Sequence, residues 1–211
     1  MKNNNVAKKM VSAVIFDMGG VLLRTLDYKP RDSIAQKFKV TRQELETIVF
    51  SSPSSILTEE GKLSIEQHSE RISEELKIDR RRGVELLEKF FEGDEINIEL
   101  IEYINKLRAA GMFTGLLSNA WSGTRARIED SYPDFLGNFD DVIFSAEVGL
   151  RKPTPQIFTY ALQRLKVTAE EAIFVDDMLE NVIGAKSIGI HGLQFLSNSQ
   201  VMKEIDSLLH I

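Results

Sequence analysis

The chain contains no cysteine in its 211 residues. Disulfide bonds and thiolate metal sites are therefore excluded, and a reducing compartment fits this composition. No apolar run approaches a membrane span, and residues 10–16, which follow a polar start at residues 1–9, are too short for a signal-peptide core. The chain carries 26 Lys and Arg against 32 Asp and Glu, a formal net charge of -6 that argues against general nucleic-acid binding. We predict a soluble cytoplasmic protein without a nucleic-acid or membrane partner.

The region between residues 32 and 91 has a helical pattern. Apolar residues recur there at three- and four-residue intervals, and no segment shows the alternation of a convincing strand. The flanking residues 24–30 and 92–95 have the composition of linkers. We therefore predict a small all-α domain at residues 25–94, inserted after the first strand.

The remainder of the chain alternates between strand-like and helix-like segments. This order is typical of an α/β fold with a doubly wound parallel sheet. With 43% hydrophobic residues, a chain of this length can bury one good core and carry a small accessory domain. We predict a Rossmann-like α/β core formed by residues 1–24 and 95–211.

A predicted buried strand at residues 13–16 leads directly into Asp17, and glycines follow at positions 19 and 20. These glycines let the backbone turn tightly and approach whatever the Asp17 carboxylate holds. Ligands of parallel sheets bind where strands end, so this aspartate is a candidate for chemistry. For this segment taken alone, the alternative is an aspartate that only opens a turn.

Polar side chains also follow the other predicted strands of the core. They are Ser118 and Asn119 after the second strand, Lys152 beyond the third, and Asp176 and Asp177 after the fourth. Because the carboxyl ends of parallel strands share one edge of a sheet, we expect these groups to converge with Asp17. Carboxylates that hold magnesium, with a lysine and a hydroxyl that hold phosphate oxygens, suit phosphoryl transfer.

Each of these residues also has an ordinary structural interpretation. Aspartates such as Asp176 and Asp177 commonly cap helices. Ser118 and Lys152 are of types common in solvated loops. Asn181 is either an exposed helix residue or a hydrogen-bond partner of a carboxylate. Adjacent carboxylates repel each other, however, and a bound cation commonly offsets that repulsion, so the conjunction of these groups favours the chemical interpretation.

Two further residues are candidates of a weaker kind. His68 lies in the helical region and is interpreted as a surface or interface histidine, with a proton donor to the site as the alternative. Trp121 follows Ser118 closely, and it either lines a substrate pocket or packs at the base of a loop.

Taken together, these residues resemble the haloacid dehalogenase superfamily, a large group of mostly phosphatases. The segments that resemble its four motifs are, in order, residues 17–21, residues 118–119, residues 152–153, and residues 176–177 with Asn181. The helical region at residues 25–94 resembles the α-helical cap of subfamily I. The resemblance extends over essentially the whole chain.

The resemblance implies a phosphatase mechanism. Asp17 would attack phosphorus to give an aspartyl-phosphate, which water would then hydrolyse. Ser118 and Lys152 would bind the phosphoryl group, and Asn119 would belong to the same substrate-binding set.

The resemblance also implies a magnesium site. Its ligands would be the Asp17 carboxylate, the main-chain carbonyl of Gly19 and the Asp177 carboxylate. Asp176 would act indirectly, through a water molecule.

One position departs from the family pattern. Family phosphatases usually carry a second aspartate two residues after the nucleophile, as general acid and then base, whereas this chain has Gly19. Glycine keeps the backbone carbonyl, but the proton donor is lost. General acid–base assistance contributes about 10²- to 10⁴-fold in rate. Leaving groups that need little protonation, such as those of sugar 1-phosphates or acyl phosphates, would therefore suit the site best.

The sequence thus predicts a magnesium-dependent phosphatase acting on a small phosphorylated metabolite, such as a sugar phosphate. A second interpretation, favoured by Gly19, is a binding or regulatory protein that keeps the fold and the metal site. A third is carbon–halogen hydrolysis, which in this family uses the same nucleophile without metal. The pair Asp176 and Asp177 argues against the third, because without a cation those charges have no evident purpose.

Overall fold

A computed structural model describes residues 10–210 of the chain. The prediction of cellular location rested partly on the polar residues 1–9, which lie outside the described residues. Among the helices of residues 10–210, none combines the length and the apolar character needed to cross a membrane.

Seven strands form two sheets within the described part of the chain. In chain order they are β1 (Ala13–Phe16), β2 (Leu23–Thr25), β3 (Asp94–Ile96), β4 (Phe113–Ser118), β5 (Asp141–Phe144), β6 (Ala172–Asp176) and β7 (His191–Gln194). The larger sheet has the order β5-β4-β1-β6-β7, and all four of its pairings are parallel. The carboxyl ends of β4 and β6 therefore flank the end of β1.

The helices of residues 10–210 either cover this sheet or form a group between β2 and β3. In chain order they are α1 (Lys29–Phe38), α2 (Arg42–Glu46), α3 (Pro53–Glu59), α4 (Ile65–Glu75), α5 (Arg82–Phe90), α6 (Ile98–Ala109), α7 (Thr124–Ser131), α8 (Ser145–Val148), α9 (Pro155–Leu165), α10 (Leu179–Lys186) and α11 (Asn198–Leu209). A π-helical turn, Thr47–Ser51, follows α2. Two 3₁₀ turns, Leu136–Asn138 and Ala169–Glu171, precede β5 and β6.

Helices cover both faces of the parallel sheet. On one face, Ile104 of α6 and Val201 of α11 pack in a hydrophobic cluster with strand residues. On the other face, Ile157 and Phe158 of α9 pack in a second cluster. Strands β1 and β6 are buried along their whole length, as expected for central strands with helices on both sides. The predicted doubly wound α/β core is confirmed.

Helices α1, α2, α4 and α5 and the π-helical turn pack around a further hydrophobic cluster, separate from those of the sheet. Its buried members include Ile34, Leu45, Val49, Ile72 and Phe90. The helical periodicity predicted for this stretch is therefore present, and its apolar face is covered by neighbouring helices.

The flanks of this helical group were predicted to be linkers, and that prediction is wrong in part. Strands β2 and β3 pair antiparallel, with Leu23 opposite Ile96 and Thr25 opposite Asp94. The Thr25 hydroxyl donates to the Asp94 carboxylate at 2.6 Å, and Arg31 binds the same carboxylate at 3.0 Å. Three residues are too few to show an alternating pattern, and β3 begins with two acidic residues, which are rare in strands.

Candidate active site

Four of the predicted site residues meet at the carboxyl edge of the parallel sheet. Asp17 follows β1, Ser118 ends β4 and Asp176 ends β6. Lys152 enters from the loop between α8 and α9, and its side chain is 1% exposed. All four residues are buried. The parallel order of the strands thus brings together polar groups that are far apart in the sequence.

The Lys152 ammonium joins two of the carboxylates. Its Nζ atom lies 2.6 Å from Asp17 Oδ1 and 2.7 Å from Asp176 Oδ2. Burial alone would lower the pKa of Lys152, but the two carboxylates raise it above its usual value. Burial raises the pKa of Asp17 to about 7, against the effect of Lys152. Burial and the neighbouring Asp176 raise the pKa of Asp177 to about 6. One ammonium group therefore faces three carboxylates. The unbalanced negative charge favours the binding of a further cation.

Replacing Lys152 with methionine should destabilise the fold, because Asp17 and Asp176 would remain buried without their cation. Breaking a buried ion pair costs about 3–5 kcal/mol, measurable by urea unfolding at neutral pH without magnesium. The raised pKa means that the folded chain protonates Asp17 at higher pH than the unfolded chain does. Because Lys152 lowers the pKa of Asp17, its removal raises that pKa above the parent's value of about 7, so the loss should be largest at alkaline pH and should shrink as the pH falls toward 7. The exposed Lys203→Met is the control, and equal stability of the two variants would contradict this role of Lys152.

The Asn119 side chain holds the loop that carries Lys152. Its Oδ1 atom accepts from the Lys152 backbone N–H at 2.8 Å, and its Nδ2 atom donates to the Lys152 carbonyl at 3.0 Å. Both ends of the amide are therefore committed to the backbone, and a contact of Asn119 with substrate stays a prediction. The Ser118 hydroxyl makes one long contact within residues 10–210, at 3.5 Å to the Asn119 carbonyl. That hydroxyl is available to a ligand oxygen.

The two glycines after Asp17 differ in their surroundings. Gly20 has a φ of +73°, and a Cβ atom there would collide with the Asp177 carboxylate. A Cβ atom on Gly19 would meet nothing within 4 Å, and its φ is not in the left-handed region. Glycine is thus required at position 20, whereas position 19 has room for a side chain.

Oxygen atoms suited to a hard metal ion are grouped beside Asp17. One oxygen from each of Asp17, Asp176 and Asp177 lies within 4.8 Å of the others. Asn181 Oδ1 is buried without a partner among the described residues. The Gly19 carbonyl likewise accepts no hydrogen bond from residues 10–210. Oxygen donors with unbalanced negative charge fit magnesium.

The helix-cap interpretation explains only part of the Asp176 environment. Asp176 Oδ1 accepts from the backbone N–H of Met178, the residue that precedes α10, at 2.8 Å. Both of its oxygens also accept from Asn181 Nδ2 at 3.1 Å, and Asn181 is buried rather than exposed. The asparagine therefore steadies the carboxylate, which was one of its two predicted roles.

A cavity of about 1170 Å³ lies between this edge of the sheet and the helical group. Asp17 and Lys152 line it from the core, and Phe50 lines it from the helices. An ion pair between Arg151 Nη2 and Glu59 Oε2, 2.8 Å long, joins the two regions directly. Neither Phe50 nor this ion pair was identified from the sequence, since no local pattern marks them.

Trp121 and His68 lie together where the core meets the helices. Trp121 lines the cavity, and its Nε1 atom donates to Ser55 Oγ at 3.1 Å, so it both forms a wall and packs. His68 was predicted to be a surface or interface histidine. The surface position is wrong because His68 is buried, but the interface position agrees with the structure, since the His68 ring lies 4.8 Å from that of Trp121. Its ring nitrogens lie 2.9 Å from Ser54 Oγ and 3.0 Å from the Val49 carbonyl. These bonds make His68 a structural residue of the helical group.

Comparison with known proteins places this geometry in a family. A family model for haloacid dehalogenase-like hydrolases matches residues 11–189. The sesquiterpene phosphatase astK of Aspergillus oryzae is 26% identical over 200 residues, which are 93% of this chain and 96% of that protein. The D-ribitol-5-phosphate phosphatase of Bacteroides thetaiotaomicron is 26% identical over 216 residues, covering 95% of this chain and 100% of that protein. Other curated relatives are longer, and the chain spans 10% of one and 38% of another.

A solved structure agrees over both regions of the chain. It is a HAD-like family hydrolase from Porphyromonas gingivalis, with a TM-score of 0.75 and 26% identity, and it covers 96% of this chain and 100% of that one. The family model spans well over half of the sequence, from before β1 to beyond α10. The chain therefore belongs to the haloacid dehalogenase-like hydrolases.

Proposed function

We propose that this protein is a magnesium-dependent phosphatase that hydrolyses a small phosphorylated metabolite. The observation that carries the proposal is a group of three carboxylates and one lysine beside a cavity: Asp17, Asp176 and Lys152, which are buried, and Asp177, which is half-buried. Two relatives that match over nearly the whole chain are named as phosphatases, which supports the same class of reaction.

Asp17 is the nucleophile in this proposal. One of its carboxylate oxygens attacks phosphorus, the bond from phosphorus to the organic oxygen breaks, and the leaving oxygen takes a proton from water, because Gly19 offers no acid. Water then attacks the aspartyl-phosphate, which releases inorganic phosphate and regenerates the carboxylate. Lys152, held beside Asp17, and the Ser118 hydroxyl bind phosphoryl oxygens and stabilise the charge that develops on them. Asn119 positions the backbone of Lys152.

The proposed magnesium ligands are the Asp17 carboxylate, the Gly19 carbonyl and the Asp177 carboxylate. Asp176 supports the metal site indirectly, because Lys152 already binds one of its oxygens. When bound, magnesium would neutralise phosphoryl charge and so let the anionic Asp17 approach phosphorus.

We also propose that residues 25–94 act as a cap domain over a core of residues 1–24 and 95–211. The support is the separate hydrophobic cluster of the helices and the cavity between them and the sheet edge. A cap in this place excludes water from the phosphoryl group and contacts the organic part of the substrate.

The two other interpretations explain fewer of these observations. A binding or regulatory protein would need the fold and the metal site, but it has no need of Lys152 held against Asp17 and of an available Ser118 hydroxyl. A metal-free dehalogenase leaves Asp177 as a partly buried carboxylate next to Asp176 without a counter-ion. The two interpretations predict different results with magnesium: the first predicts binding without turnover, and the second predicts turnover without magnesium.

Phosphate release from acetyl phosphate, with and without magnesium, tests the proposed function. We expect turnover that requires magnesium. Calorimetric magnesium titrations should show that Asp177→Ala weakens binding far more than Asn181→Ala, because the first removes a ligand and the second only support for Asp176.

Equal magnesium affinity in the parent and both variants would mean that the carboxylate pair serves only to cap α10. Magnesium binding without turnover of any phosphate ester would favour the binding-protein interpretation. Turnover of a haloacid without magnesium would favour the dehalogenase interpretation.

A further inference from the structure

We propose that the organic part of the substrate is a bulky apolar group rather than a sugar or another polyol, a proposal that rests on the phosphatase function above. The basis for this narrower substrate class is the set of surfaces that line the cavity. Sugar phosphates, the example suggested by the sequence, become poor substrates in this view.

Several exposed apolar side chains line the cavity. Phe50, Ile56 and Val84 are 40%, 36% and 47% exposed, and all three line it from the helical group. Met178 lines it from the core and is 51% exposed. Concentrated apolar surface of this kind marks a ligand or partner site. Because Asp17 lines the same cavity, the ligand in question is the organic part of the substrate.

Three rings, those of Phe50, Phe91 and Trp121, line the cavity and are called here the aromatic wall. The rings of Phe50 and Trp121 are stacked 6.1 Å apart at an interplanar angle of 28°, and Phe91 lies 6.0 Å from each. Ring faces give apolar groups a large contact area. Hydroxyl groups that such an apolar group lacks would find no hydrogen-bond partner on the ring faces themselves.

Much of the charge that lines the cavity is already paired. Arg31 binds Glu46 at 3.1 Å and Asp94 at 3.0 Å, and Arg151 binds Glu59 at 2.8 Å. A site that recognises hydroxyl groups needs unpaired donors and acceptors, and these pairs reduce their number. The volume of about 1170 Å³ exceeds the roughly 300–1,000 Å³ of most small-molecule sites, which leaves room for a bulky group.

Arg127 could instead bind a second anionic group on the substrate, which is the competing interpretation. It lines the cavity and, like Arg24, it makes no ion pair within residues 10–210. Its guanidinium lies 4.2 Å from the centre of the Phe91 ring, so it extends the aromatic wall as a flat cation. Carboxylates outnumber cations around the cavity, which disfavours a substrate with two anionic groups.

Four substrates test the proposal with magnesium present. Cyclohexylmethyl phosphate and glycerol 3-phosphate are both esters of primary alcohols, which matches their leaving groups, while 3-phosphoglycerate adds a carboxylate. Acetyl phosphate reports turnover without an apolar body. We expect kcat/KM for cyclohexylmethyl phosphate to exceed that for glycerol 3-phosphate and 3-phosphoglycerate at least about tenfold. Parity, or preference for either polar ester, overturns the proposal. Turnover of acetyl phosphate alone keeps the phosphatase function and makes the binding comparison below decisive, whereas turnover of none of the four defeats the phosphatase function itself.

Binding without turnover gives an independent measurement. Trp121 is the single tryptophan of the chain and lines the cavity, so its fluorescence should report occupancy. We expect 2-cyclohexylethylphosphonate to bind about tenfold more tightly than 3,4-dihydroxybutylphosphonate. Equal affinities would contradict an apolar site even if the enzyme is active.

A matched pair of variants on α3 links the preference to the cavity. Ile56→Asn should lower kcat/KM for cyclohexylmethyl phosphate about tenfold, and by more than it lowers that for acetyl phosphate. Leu57→Asn should leave both values unchanged, since Leu57 is similarly exposed, at 38%, but does not line the cavity. Melting temperatures verify that both variants are folded. Equal effects of Ile56→Asn on the two substrates would overturn the assignment.

Discussion

Replacing Asp17 with asparagine should abolish phosphatase turnover and leave the fold intact. An amide does not attack phosphorus and does not balance the charge of a metal. Loss of a nucleophile lowers kcat by as much as about 10⁶-fold in a well-studied hydrolase. The fold should tolerate the change, because burial already disfavours the charged form of Asp17 and the amide oxygen can still accept from Lys152. Phosphate release and circular dichroism measure the two effects.

Asp130→Asn is the matched control for this variant. Asp130 is exposed near the end of α7, so the same chemical change there should leave the rate at the parent value. Turnover near the parent rate in a folded Asp17→Asn protein would refute the assignment of the nucleophile.

Restoring a carboxylate by Gly19→Asp should raise turnover of alkyl phosphates by about 10²- to 10⁴-fold. The new side chain would protonate the leaving oxygen and then activate the attacking water. The structure permits the change, since a Cβ atom on Gly19 meets nothing within 4 Å and the backbone there is not left-handed. Rates for esters with leaving groups of different pKa measure the effect, which should be largest for the poorest leaving groups.

The parent enzyme should also show a burst of product with a good leaving group. Without a residue that activates water, breakdown of the phosphorylated Asp17 becomes the slow step, so the first turnover is faster than later ones. Rapid-quench kinetics with acetyl phosphate would show the burst, and Gly19→Asp should remove it.

Gly20→Asp provides the contrasting variant. Its side chain would collide with the Asp177 carboxylate and would need a left-handed backbone, so we expect loss of magnesium binding rather than a gain in rate. If Gly19→Asp binds magnesium and yet shows the same dependence on leaving-group pKa as the parent, the proton comes from another residue and glycine at this position is no handicap.

The core of the site could be predicted from the sequence because each member follows a buried strand. Asp17, Ser118 and Asp176 share one sheet edge for a single topological reason, the parallel order of β4, β1 and β6. Lys152 was predicted as a residue beyond the third strand of the core, although α8 separates it from β5, so its position depends less directly on the strand order. The pairing of its backbone with Asn119 depends on the course of a loop, which periodicity does not describe.

Contacts made by the helical group were harder to predict. Glu59 and Arg151 are 92 positions apart, and nothing in either segment indicates the other. His68 shares a helix face with Ile65 and Ile72, and Ser54 and the Val49 carbonyl satisfy its ring nitrogens and allow its burial; these partners cannot be read from the sequence. Tertiary partners, rather than local pattern, decide the positions of such polar residues.

The ion pair between Glu59 and Arg151 limits how this enzyme can be redesigned or can diverge. It joins α3 to the residue immediately before Lys152, so the helical group is not an interchangeable module. A chimera that takes α1 to α5 from a relative without an acidic residue at position 59 would leave a half-buried guanidinium unpaired next to Lys152. Positions 59 and 151 should therefore be exchanged together with the helices.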